Sequence, residues 1–130
     1  MAFTDLDSAT RRQLESDLAE AAGRGIGGAV TDVVGQFEAE LTDYLALPAD
    51  VRRSYPRGET ARLYGTALGE ALVREGFTWQ LLIDDYGTDL VVVRDAGGAD
   101  QKYTAPLIVV DQRFEDEEPG KLTTFIGQFL

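Results

Sequence analysis

The chain has 130 residues, 44% of them hydrophobic, and a formal net charge of −11 with neither histidine nor cysteine. This composition excludes a Ser-His-Asp triad, a Cys-His pair, an imidazole- or thiolate-ligated metal and a disulfide framework. The negative charge opposes binding to nucleic acid or an anionic membrane, because both depend on cations that release counterions.

The first helix is marked by Leu14, Leu18, Ala21 and Ala22, spaced to make one apolar stripe. Asp7 or Ser8 is suited to cap its start, and Gly23 to take the left-handed position at its end. A glycine-rich link leads to a second helix, capped by Thr31 or Asp32. It carries the stripe Val33, Val34, Phe37, Leu41, Tyr44 and Leu45, and Pro48 ends it. A third helix is predicted over 59–75, closed by Gly76. It carries a strip of small residues, Ala61, Gly65 and Gly69, at four-residue spacing. Each glycine inside a helix costs about 1 kcal/mol relative to alanine, so a neighbouring backbone is expected close against that strip.

Beyond residue 78 the period changes. Short aliphatic runs at 79–83, 90–93 and 107–110 read as three strands, the first two joined through Asp84-Asp85-Tyr86-Gly87-Thr88 as a hairpin. The runs are apolar on both faces, so both faces of the resulting antiparallel meander are expected under cover, from helices or from another chain. Pro119 follows an acidic run, and Leu122, Phe125, Ile126, Phe129 and Leu130 then mark an amphipathic helix, expected on the sheet. It has no polar tail, so either it packs home or the natural chain continues past Leu130. The expected fold is a single α+β domain over 1–130: three N-terminal helices, a three-stranded antiparallel meander and a C-terminal helix, with a candidate hinge at 47–57.

Gly23-Arg24-Gly25-Ile26-Gly27-Gly28 has the composition of a phosphate-cradling loop. Such loops follow a strand and open a helix, whereas this one follows a helix and lacks a Gly-Lys-Ser/Thr ending. It is expected to be a plain helix–helix connection. Arg52, Arg53, Arg57 and Arg62 are the candidate ligand-binding residues, since arginine forks hold phosphates and carboxylates. The alternative is internal pairing with Asp50, Glu59 and the terminal acidic run.

Asp84, Asp85 and Asp89 flank a tight turn and, with Glu70, form a candidate acidic site. The ligand spacing of a calcium loop is missing, and Asp-Tyr-Gly is what a hairpin turn requires, so no metal is assigned. Glu70, at the edge of the glycine strip, suits acid–base work or accepting a hydrogen bond from Trp79 or Tyr64. Trp79 is expected to anchor the core. No catalytic residue and no cofactor is assigned.

The block Tyr64-Gly65-Thr66-Ala67-Leu68-Gly69-Glu70-Ala71-Leu72-Val73-Arg74-Glu75-Gly76-Phe77-Thr78-Trp79, continuing through Asp84-Asp85-Tyr86-Gly87-Thr88-Asp89-Leu90, resembles an uncharacterised bacterial domain-of-unknown-function family. In that family a Leu-Gly-Glu helix leads to a tryptophan-bearing strand and an Asp-x-Tyr-Gly hairpin. The likeness runs from Pro48 onward. More loosely the chain is similar to small acidic immunity-type proteins. These resemblances imply a non-enzymatic domain and carry over no catalytic residue.

The leading expectation is a non-catalytic, acidic protein-binding module that meets a basic protein. One alternative is a hydrolase using carboxylates alone, with or without a divalent ion, drawing on Glu59, Glu70, Asp84 or Asp85. Another is a homodimeric scaffold. No run approaches the ~18 apolar residues of a membrane span. Residues 1–7 carry acids where a signal peptide needs a basic region, which points to the cytoplasm.

Overall fold

A computed structural model describes all of residues 1–130. Asp7 opens α1 (Ser8–Gly23) by accepting a hydrogen bond from the Thr10 amide, which holds its carboxyl below the usual carboxylate range. The helix runs through Gly23, and the left-handed residue that ends it is Gly25, two positions later than expected. The Ile26 and Gly25 amides return to the Ala21 and Ala22 carbonyls and satisfy the end of the helix.

Helix α2 (Val30–Leu45) starts one residue before the expected cap. Ala29 takes the capping position, and Asp32 reaches back to its amide from inside the first turn. The 47–57 segment contains a single helical turn, α3 (Ala49–Arg52), whose Arg52 guanidinium donates to the Leu45 and Leu47 carbonyls at the end of α2.

Helix α4 (Arg57–Arg74) is the central element, buried along most of its length. Its glycines are required by their neighbours. A Cβ on Gly65 would lie 2.5 Å from the Leu107 Cα, and one on Gly69 would overlap the Trp79 ring. The expected close backbone is present at Gly65, and at Gly69 an indole takes its place. The core joins α4 to the stripe of α2, with Phe37, Tyr64 and Phe114 stacked edge to face in its middle.

The sheet has four strands rather than three. β1 (Ala2–Thr4), β2 (Thr78–Asp84), β3 (Gly87–Arg94) and β4 (Lys102–Thr104) lie in that order, each antiparallel to the next. The 107–110 run, expected as a strand, is helix α5 (Pro106–Gln112). Proline at its first turn needs no amide partner. Its buried residues, Pro106 and Val110, continue to Phe114 in a 3-10 turn (Arg113–Glu115), a four-residue period, while Ile108 faces solvent. An apolar run this short does not by itself separate helix from strand.

Register sorts the sheet into two faces. Trp79, Leu81, Leu90 and Val92 share the face that meets the helices, and Val92 enters the main core. Leu82, Val91 and Val93 share the opposite face and are also buried, at 5%, 1% and 3% exposure. The expectation that helices or another chain cover both faces is corrected here. Phe3 from β1 and Tyr103 from β4 extend over the second face and meet above it.

The C-terminal helix, α6 (Lys121–Phe129), also departs from expectation, lying along α2 rather than on the sheet. Thr123 donates to Glu38 of α2. At the end of the sheet Phe129 packs on Phe77, and Lys102 donates to the Phe129 carbonyl. No helix is long and apolar enough to cross a membrane.

Candidate functional site

A cleft of about 470 Å³ opens between the end of α1, the glycine loop and α4. Its room comes from small residues, with Ala21 and Ala22 on one wall and Ala67 on the other. Two charged side chains reach it from α4, one helical turn apart. Glu70 accepts a hydrogen bond from the Trp79 Nε1 at 3.3 Å, and Arg74 donates to the Gly28 carbonyl at 2.7 Å. Glutamate and arginine at this spacing ordinarily pair. Here they do not, because each is held by a different neighbour. Trp79 reaches Glu70 only because Gly69 leaves space for its ring.

The loop itself has little to offer an anion. The amides of Gly25 and Ile26 close α1, that of Gly27 goes to the Gln36 side chain, and that of Ala29 to Asp32. A phosphate cradle requires several free amides, and here only that of Gly28 is without a partner.

The four arginines are not gathered at one point. Arg52 caps α2 and lies over the Tyr44 ring. Arg57 pairs with Asp111 and Glu115 and lies over Phe114; the hydrogen bond to Glu115 is the main cause of its raised pKa. Arg62 pairs with Asp17 of α1, and Arg53 points to solvent.

The acidic candidates are equally dispersed. Asp84 accepts from the Tyr86 amide within the two-residue hairpin loop, with Gly87 at φ 137°, while Asp85 and Asp89 are exposed. Glu70 lies in the α1–α4 cleft, and Glu59 pairs with Arg24. No three acidic residues are grouped so as to hold a metal ion.

Two features escaped the sequence reading. Asp17 is buried at 4% exposure, accepting from Gln13 and pairing with Arg62. Its signal was a carboxylate within the apolar stripe of α1, between Leu14 and Ala21. Glu40 accepts from the Tyr55 hydroxyl near Tyr64. Burial first, and then this bond, push the Tyr55 phenol above its ordinary range.

A family model described as a domain of unknown function, DUF3806, matches residues 53–125. The chain belongs to this family. The DUF3806 segment supplies α4, three strands and α5, and with them Glu70, Arg74 and Trp79. The other wall of the cleft, made by α1 and the glycine loop, lies outside the segment matched to DUF3806. No curated protein and no solved structure matches the chain.

Proposed function

We propose that the chain is a non-catalytic binding module whose negative surface meets a basic protein. The supporting observation is how its cations are used. Arg24, Arg57, Arg62, Arg113 and Lys121 sit in ion pairs, Arg52, Arg74 and Lys102 bind backbone carbonyls, and Arg94 lies over Phe77. Only Arg11, Arg12 and Arg53 remain unengaged, while Asp43, Asp50, Asp85, Asp89, Glu117 and Glu118 are all exposed acids. Most cations are thus tied to groups of the fold itself, and with a net charge of −11 the outward field is dominated by free carboxylates. Such a field accelerates encounter with a basic partner and repels an acidic one.

The alternative hydrolase needs converging carboxylates, and Glu59 and Glu70 lie apart from each other and from Asp84 and Asp85 at the hairpin. Neutralisation of a basic toxin is the narrower form of the binding reading. A cytoplasmic setting belongs to the same proposal, supported by a cysteine-free composition that needs no oxidising compartment. Immobilised protein incubated with native lysate should retain a basic protein at low salt and release it as salt rises. A variant with Asp85, Asp89, Glu117 and Glu118 changed to amides should retain less. Recovery of no partner at low or moderate salt overturns the proposal.

A further inference from the structure

The geometry points to the cleft between α1 and α4 as a binding site for a small zwitterion of the α-amino-acid type. Glu70 has one carboxylate oxygen on the Trp79 indole, which leaves the other for a ligand ammonium. Arg74 has one terminal nitrogen on the Gly28 carbonyl, which leaves the rest of its fork for a carboxylate. The two residues are a turn apart, about 5–6 Å between Cβ atoms, and each bonds a different neighbour instead of the other. A ligand with ammonium and carboxylate on one carbon can engage both.

The surroundings disfavour simpler ligands. An inorganic anion would meet the Glu70 carboxylate and find only one loop amide, that of Gly28, without a partner. A bare cation would meet Arg74. The apolar wall, from Leu18 to Ile26, favours an aliphatic side chain. The volume, about 470 Å³, falls in the range of small-molecule sites.

The chain carries its own reporter, because Trp79 is its only tryptophan and bonds directly to Glu70. Full-length protein titrated with glycine, L-alanine or L-leucine should give a saturable change in tryptophan emission. Acetate and methylammonium, each carrying one of the two charges, should not. Glu70→Gln and Arg74→Gln should each weaken binding roughly tenfold or more, as expected for a lost charged hydrogen bond. Ala22→Leu should block it by filling the wall without touching either charge. Arg74 and Ala22 are exposed, so these two variants remain informative if Glu70→Gln fails to fold. The assignment is overturned if neither emission nor calorimetry detects a zwitterion at about 10 mM. It is also overturned if acetate or methylammonium binds as well as the zwitterion, or if Arg74→Gln and Ala22→Leu leave binding unchanged.

Discussion

Phe3 and Tyr103, on opposite edge strands of the sheet, meet edge to face with their ring centroids 5.4 Å apart. Two strands separate them, so the rings must cross over Leu82, Val91 and Val93 to touch. The sheet therefore covers its own second face. Phe3→Ala and Tyr103→Ala should each lower the unfolding free energy by about 1–2 kcal/mol, through lost apolar burial. The double variant should show a coupling of roughly 0.5–1.5 kcal/mol, as expected for an aromatic pair. Urea unfolding of the four proteins measures this, and strictly additive losses would show that the rings act separately.

That contact joins residues 100 positions apart, and nothing local in the sequence announces it. β1 is three residues long, too short to display alternation, and it forms only because β2 offers it an edge. The elements that were legible carry their own punctuation: Asp7 before α1, Gly76 after α4, and Asp84 and Gly87 around the hairpin. The 107–110 run misled because β-branched residues favour strands, whereas Pro106 and packing on Gly65 impose a helix. At the site, the Glu70–Trp79 bond was open to reading from the glycine strip and the tryptophan that follows. The reach of Arg74 to Gly28 was not, because it depends on how α1 and its loop fold back over α4.

The glycines of α4 offer a test in which helix propensity and packing have opposite signs. Alanine is the better helix former by about 1 kcal/mol. At Gly35 of α2, where an added Cβ meets nothing within 4 Å, Gly→Ala should stabilise by about that amount. At Gly65 and Gly69 the Cβ would strike the α5 backbone or the Trp79 ring, and the change should cost about 1–3 kcal/mol. Denaturation midpoints moving the same way at all three positions would contradict the packing account.

The Asp17–Arg62 pair should respond unequally to losing one partner or the other. Asp17 has a side chain only 5% exposed, whereas that of Arg62 is 35% exposed. Arg62→Ala leaves a buried carboxylate with Gln13 as its one remaining partner and should cost about 3 kcal/mol. Asp17→Ala removes the buried charge and lets Arg62 turn to water, so its cost should be nearer 1 kcal/mol. Equal losses in chemical denaturation would mean that burial does not govern the pair.

Alkaline pH should act on the fold through Tyr55 and Tyr64. Burial is the first cause that raises both phenols, followed by the hydrogen bond to Glu40 for Tyr55 and by the Glu40 charge for Tyr64. In the unfolded chain each ionises near about pH 10. Above that pH the unfolded state has released protons that the folded state still holds, so stability is full below about pH 10 and falls as pH rises beyond it. Tyr55→Phe removes one of these titrations. At neutral pH it should cost about 1 kcal/mol, because Glu40 loses its donor. It should then lose stability less steeply than the parent, and the two curves should converge as pH climbs. Urea midpoints between about pH 7 and 11 measure this. Parallel curves across that range would show that Tyr55 ionises as freely in the fold as in the unfolded chain.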